Sequence, residues 1–297
     1  MSIISECTLC PRMCRVSRAE GQRGFCGEGA EMRVSRVSLH SFEEPPISGT
    51  RGSGTIFFSG CTLRCEFCQN KTISRTGAQG KVFSVEELAE AMYQLRDEGA
   101  HNINLVTPTH FTLEIIKALK VVKPTLGIPV VYNTSGYERV ETLRRLDGLV
   151  DIYLPDFKYC SAELAKKYSS APNYKDVATE ALVEMHRQRG AVRIDESGIM
   201  SSGVMIRHLV LPSGRKDSIE VLNTIAATVP TEDVLLSLMS QYTPEFALDS
   251  PYKELHRRLT SFEYSSVADH AEKLGFNGYF QALSSASSKY TPDFEQK

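Results

Sequence analysis

No run of apolar residues in this chain approaches the roughly 18–20 that a membrane span needs. The first residues, Met1-Ser-Ile-Ile-Ser-Glu-Cys7, carry neither a basic stretch nor an apolar core, so no secretory leader is expected. Neither sign of charge is in excess. The 34 Lys and Arg against 36 Asp and Glu leave a net charge of −2, which recommends neither nucleic acid nor a membrane surface as a partner. Beyond an alternation of strand-like and helix-like segments there is no internal repeat, and the low-complexity content is the Ser-rich stretch 284–288. The rest is an ordinary globular composition, 41% hydrophobic and 24% charged over 297 residues. That length suits one α/β barrel, or one domain with an appendage.

Cysteine is the departure from the ordinary. Of eight, seven (Cys7, Cys10, Cys14, Cys26, Cys61, Cys65 and Cys68) fall in the first 68 residues, and Cys160 stands apart. A secreted disulfide scaffold would spread its cysteines over a small chain. Tight groups in a chain large enough to have a core read as metal or redox chemistry in a reducing compartment, so the expected location is the cytoplasm.

Cys61, Cys65 and Cys68 are spaced C-x3-C-x2-C and follow Thr55-Ile-Phe-Phe-Ser59, a short run of β-forming residues that reads as a buried strand ended by Gly60. Three thiolates on one loop suit a soft metal or an iron–sulfur cluster. On a four-iron cubane they leave one iron open to a small molecule. The spacing also fits a zinc site completed by a distant fourth ligand, or three ordinary buried thiols. Cys7-Thr-Leu-Cys10-Pro-Arg-Met-Cys14 with Gly24-Phe-Cys26-Gly27 reads as a second, tetrathiolate site, for zinc or a second iron–sulfur cluster.

Met32–Leu39 alternates and is a candidate strand. Pro45-Pro46 and Gly49–Gly54 read as a loop. After the cysteines, Ser84-Val-Glu-Glu87 is a capping box opening a helix that Gly99 stops. Strands are expected at Ile103–Val106, Ile128–Tyr132, Asp151–Leu154, Val204–Leu211 and Val234–Met239. Helices are expected at Leu113–Val122, around Val140–Leu146, at 161–168 and 174–189, and at Ser218–Val229; a small hairpin is expected around Gly198. Six strands alternating with helices mean a parallel sheet. The division is a four-cysteine metal-binding segment over 1–50, a partial (β/α)6 barrel over 51–245, and a C-terminal helical extension over 246–297 that packs on the barrel.

Chemistry in such folds gathers at the C-terminal strand ends. There the chain has Thr107-Pro-Thr-His-Phe111, whose hydroxyls and carbonyls are acceptors. His110 there is a ligand-facing or a structural histidine. Asn133-Thr-Ser-Gly-Tyr137 is small and polar, with a glycine that lets a ligand approach or a hydroxyl that caps a helix. Asp156 and Lys158, two apart, point the same way. Arg207 sits in Ile206-Arg-His-Leu-Val-Leu-Pro212, and Gln241 in Ser240-Gln-Tyr-Thr-Pro244.

The cysteine spacing with an aromatic, Phe67, before the third cysteine resembles the signature of the radical S-adenosylmethionine (radical SAM) superfamily. Gly52–Gly60, Leu63–Asn70 and the N-terminal Cys-x2-Cys-Pro-Arg-x-Cys resemble its pyruvate formate-lyase activating enzyme-like branch, with likeness running from Cys7 to Tyr290-Thr-Pro-Asp-Phe294. The resemblance implies an α/β partial barrel and an oxidoreductase. Its [4Fe–4S] cluster, on Cys61, Cys65 and Cys68, cleaves SAM reductively to a 5′-deoxyadenosyl radical that abstracts hydrogen. It implies SAM contacts from Phe67, Cys68, Gln69, Thr107, Thr109, Asn133, Ser135, Asp156, Phe157, Lys158, Arg207 and Gln241. Thr107-Pro-Thr-His110 stands where most relatives have a Gly-Gly-Glu-type motif for the SAM amine. An electron donor such as flavodoxin or ferredoxin is implied. The substrate is a glycine of a glycyl radical protein or a small molecule, and a non-catalytic zinc or iron–sulfur scaffold is the reading from another class.

Overall fold

A computed structural model describes residues 5–75 and 80–282. The Ser-rich stretch 284–288 and the segment 290–294 lie outside them.

A single ten-stranded sheet organises the chain. Its strands are β1 (Met32–His40), β2 (Ser53–Phe58), β3 (Lys81–Phe83), β4 (Ile103–Val106), β5 (Val130–Thr134), β6 (Ile152–Pro155), β7 (Arg193–Ile194), β8 (Met200–Leu209), β9 (Val234–Met239) and β10 (Asn277–Phe280). The helices are α1 (Pro45–Ser48), α2 (Lys71–Ser74), α3 (Val85–Asp97), α4 (Thr112–Val122), α5 (Val140–Leu143), α6 (Ala162–Ser169), α7 (Tyr174–Arg189), α8 (Arg215–Thr228) and α9 (Ser261–Lys273). Strand order is β10-β9-β8-β6-β5-β4-β2-β1-β3, with β7 paired to β8. From β2 to β10 the neighbours on this path are parallel. The β1 and β3 strands extend the β2 side antiparallel. Among the described residues the two ends of the path do not pair, so the barrel is open. Among the described residues no helix is long and apolar enough to cross a membrane.

The pleat sorts side chains onto two faces. Tyr132, Tyr153, Val204, Ile206, Leu236 and Leu238 join the outer core beneath the helices. Val131, Ile152, Leu154, Met205 and Leu235 form a smaller inner core around Ile47 of α1. Continuing the inner parity toward the C-terminal ends brings Asn133, Asp156, Lys158, Arg207, Met239 and Gln241 to the mouth of the barrel.

Several expectations shift. The β5 strand begins two residues later than its apolar run, because Pro129 has no N–H to give to the ladder; Asn133 and Thr134 are therefore inside the strand. The hairpin around Gly198 exists, but its second strand runs on as β8. Pro45-Pro46 is not loop: both prolines sit in the first turn of α1, where no intrahelical N–H is needed. The C-terminal extension is not only helical. The α9 helix opens with a capping box at Thr260 and Glu263, and β10 then adds a seventh parallel strand beside β9. Gly278, at φ 151°, permits that pairing, since a Cβ there would lie 1.9 Å from the Leu236 carbonyl oxygen.

The α1 helix closes the barrel beneath the cleft. Ile47 is fully buried, and Asn102 ties the helix down by donating from Nδ2 to the Ile47 carbonyl (2.7 Å) and accepting from the Ser53 hydroxyl (2.6 Å). Asn102→Ala strands both partners in the interior at about 1–3 kcal/mol each. Urea denaturation of that variant should therefore show a loss of about 2–6 kcal/mol. A loss below ~1 kcal/mol would mean that Ile47 packing alone holds the helix.

Candidate functional site

The loop leaving β2 carries Cys61, Cys65 and Cys68 to the rim of an open-mouthed cleft with a volume of about 230 Å³. Gly60 makes that exit possible. It lies at φ 81°, and a Cβ would come within 2.7 Å of the Cys26 carbonyl oxygen. All three thiols are free and line the cleft. Each sulfur has a donor near it: the Leu63 N–H at 3.4 Å from Cys61, the Ser169 hydroxyl at 3.0 Å from Cys65, and the Ser74 hydroxyl at 3.4 Å from Cys68. Burial pushes the Cys65 thiol up to about 12 and raises Cys68. A bare thiolate is disfavoured here, whereas coordination to a cation deprotonates a thiol outright. The donor set, three soft sulfurs on one loop, therefore fits a cluster. Among the described residues no three Cys, His, Asp or Glu side chains converge closely enough to chelate a single metal ion.

The opposite wall is ionic. Lys158 Nζ meets Asp156 Oδ2 at 2.7 Å, and Arg207 Nε meets Asp156 Oδ1 at 3.0 Å. Arg207 also donates to Asn133 Oδ1 (2.6 Å) and faces Glu43 Oε2 (3.3 Å). Burial alone would raise the Asp156 carboxyl, but Arg207 and Lys158 hold it below its ordinary value. Burial would lower the Lys158 ammonium, and Asp156 more than offsets it. Glu43 goes the other way: burial outweighs Arg207 and raises it, and Glu44 beside it is raised to about 7. Ser135 is 6% exposed on the cleft wall, and its hydroxyl has no hydrogen-bond partner. An unmet donor at that place fits a polar ligand.

Of the residues expected to contact SAM, Phe67, Cys68, Gln69, Thr107, Asn133, Ser135, Asp156, Lys158, Arg207 and Gln241 line this one cleft. Thr109 and Phe157 do not line it. Phe157 has the outer parity between Asp156 and Lys158, so its ring is buried edge-on to Tyr174 in the outer core. Thr109 is fully buried, with its hydroxyl bonded to Glu138, as is that of Thr134. His110 is structural: burial lowers it to about 3, and its Nε2 bonds the Ser59 carbonyl where β2 ends. Gly136, at φ 75°, admits the Asp156 carbonyl (2.1 Å from a would-be Cβ) rather than a ligand. Neither Thr134 nor Ser135 caps α5, whose N-cap is Arg139. Sequence reasoning missed His40, Phe42 and Glu43, which reach the cleft from the end of β1 and its connection to α1. The pair Glu43-Glu44 just before Pro45 was the available signal.

An open parallel α/β sheet whose first parallel strand delivers three clustered cysteines to a charged cleft at the strand ends defines a radical SAM enzyme. Residues 55–194 match the radical SAM superfamily. The chain is 32% identical over 281 residues to an uncharacterized protein of Methanocaldococcus jannaschii, covering 92% of this chain and 76% of that one. A second uncharacterized protein of the same organism is 26% identical over 223 residues, covering 61% and 65%, so the chain spans just under two thirds of it. Streptococcus suis SuiB, in a crystal structure bound to S-adenosylmethionine, shares the fold at a TM-score of 0.53 and 14% identity, over 76% of this chain and 49% of SuiB. The chain belongs to the radical SAM superfamily.

Glu138 gives this site a pH dependence. Burial raises its carboxyl to about 7 against the hydrogen bonds from Thr109 and Thr134. A raised folded value means that its stabilising contribution is full below about pH 4.5 and is lost as pH climbs through 7. Glu138→Gln keeps an acceptor for both hydroxyls and does not titrate. The stability of Glu138→Gln relative to wild type should therefore rise between pH 5 and pH 8 by on the order of 3 kcal/mol. A difference that stays flat over that range would show Glu138 to be charged throughout.

Proposed function

We propose that the chain holds a [4Fe–4S] cluster on Cys61, Cys65 and Cys68, binds SAM across the cleft, and uses the pair to abstract hydrogen from a substrate. The observation that carries this reading is that three free thiols, Cys65 buried and Cys61 and Cys68 half-buried, share one cleft with a paired acid–base wall. Held on Cys61, Cys65 and Cys68, a bound cluster would supply the single electron that reductive cleavage of the SAM C5′–S bond needs. The chain's own groups bind and orient. Lys158 and Arg207 offer charge-assisted donors to the SAM carboxylate or ribose. Ser135 and Gln241 offer neutral ones, Thr107 offers acceptors for the amine, and Phe67, packed on Tyr168 and Tyr242, excludes water beside the thiols. A one-electron donor such as flavodoxin or ferredoxin supplies the reductant.

For the substrate we favour a small polar molecule over the glycine of a partner protein that the activating-enzyme-like resemblance implies. Glu43 faces Arg207 and Asn133 low in the cleft, and α1 closes the barrel beneath. A carboxylate at the bottom of a closed well meets a ligand that enters whole. A glycyl radical signal in electron paramagnetic resonance of an added partner protein would reverse that preference.

Reconstituted protein with dithionite and SAM should release 5′-deoxyadenosine, and the Cys61→Ala, Cys65→Ala, Cys68→Ala triple variant should release none. Product from the triple variant would sink the reading. Asp156→Ala and Lys158→Ala each remove charge-assisted bonds of about 1.5–3 kcal/mol. SAM should bind roughly ten- to a hundred-fold more weakly, with iron content unchanged because neither is a cluster ligand. Wild-type affinity in both variants would return the pair to a structural role.

A further inference from the structure

The segment that carries Cys7, Cys10, Cys14 and Cys26 has one element of regular structure, a 3₁₀ turn at Arg18–Glu20. Yet Cys7, Cys10 and Cys26 are 3%, 6% and 4% exposed, Cys14 is half-buried, and all four are free. Leu9 is the other buried apolar residue between 7 and 27. A loop with so little core needs a cross-link to hold a shape. The shape is specific. Met13 and Arg15 take left-handed φ of 46° and 56°, and the N–H groups of Met13 and Arg15 bond the carbonyls of Cys10 (3.0 Å) and Cys7 (2.9 Å). Two donors point at sulfur: the Phe25 N–H at 3.3 Å from Cys14, and Arg18 Nη2 at 3.4 Å from Cys26. At Cys26 burial outweighs the Arg18 guanidinium and raises the thiol, so a bare thiolate is disfavoured there as it is at Cys65.

The loop is seated on the first cysteine loop. The Cys61 N–H donates to the Cys26 carbonyl (3.4 Å), Arg12 Nε to the Thr62 carbonyl (2.7 Å), and Arg18 Nη1 to the His110 carbonyl (2.6 Å).

We propose that Cys7, Cys10, Cys14 and Cys26 hold a second [4Fe–4S] cluster, ligated at all four irons and packed against the loop of the first. Zinc is the other occupant four thiolates accept. With Zn–S bonds of about 2.3 Å, a zinc ion draws its four sulfurs to within about 3.8 Å of one another. The four sulfurs here do not converge on a single-ion position, and neither do those of Cys61, Cys65 and Cys68. A cubane binds each thiolate at a different iron and keeps the sulfurs apart. The four remain near neighbours: the Met13 and Arg15 turns fold Cys14 back toward Cys10 and Cys7, and a Cβ on Gly24, two residues before Cys26, would lie 3.1 Å from Cys14 Sγ. Four protein ligands leave no iron open, so SAM does not bind this cluster.

The test does not depend on SAM cleavage, because it uses full-length protein in which Cys61, Cys65 and Cys68 are all Ala. After anaerobic reconstitution with iron and sulfide, this triple variant should hold about four irons and four acid-labile sulfides per chain. Its dithionite-reduced paramagnetic signal should not change on adding SAM. Adding Cys10→Ala and Cys26→Ala should take the iron to background. In wild type, with both clusters reduced, the two signals should broaden each other. One zinc and no iron in the triple variant, no metal at all, or iron that survives the further two substitutions would each overturn the proposal.

Discussion

Two cations and three carboxylates packed side by side, Glu44 buried and the others half-buried, inside an open sheet set the terms for the rest of this molecule. Each ion costs several kcal/mol to desolvate, repaid only by close partners. The strand ends supply them. Asp156 and Arg207 sit opposite each other where β6 and β8 run parallel, and the pleat brings Lys158 back to the same side as Asp156. The surplus negative charge falls on Glu43 and Glu44, and burial raises both carboxyls. An apolar filling would be at least as stable. A network of this kind is best explained by a charged ligand that completes it.

The same pleat decided how much could be read beforehand. Six parallel strands were legible because their apolar runs are bounded by turn residues, and Asp156, Lys158 and Arg207 because they follow inward-facing positions. Phe157 falls outside the cleft because neighbours of an inward residue point out. Thr109 could not have been placed from the sequence, since its partner Glu138 is 29 residues away. The β10 strand escaped because Asn277 and Gly278 are poor strand formers, and pairing with β9 overrode their propensity. Glu43 escaped for a similar reason. Two prolines after it suggested a loop, and only the packing of Ile47 against the inner core brings that turn inside the barrel.

The cysteine motif was the plainest signal, and the structure shows why three cysteines at that spacing are not sufficient alone. Residues 60–70 have no helix or strand to hold them. Their position comes from outside. His110 braces the Ser59 carbonyl before the loop starts, Arg75 Nη2 donates to the Cys65 carbonyl (2.8 Å), and the Glu66 N–H donates to the Tyr168 carbonyl (2.9 Å). Arg12 joins two of these supports. Its Nε bonds Thr62 within the loop while its Nη2 bonds the Ser169 carbonyl at 2.8 Å, and the Ser169 hydroxyl donates to Cys65. One guanidinium from the N-terminal segment thus fixes both the loop and the residue that bonds one of its sulfurs. The geometry of the three thiols is therefore set jointly by the N-terminal segment, the turn after β4 and the end of α6. A thiol triad on a loop with no support of its own can present a fixed face to a cluster only because three separate parts of the chain converge on it.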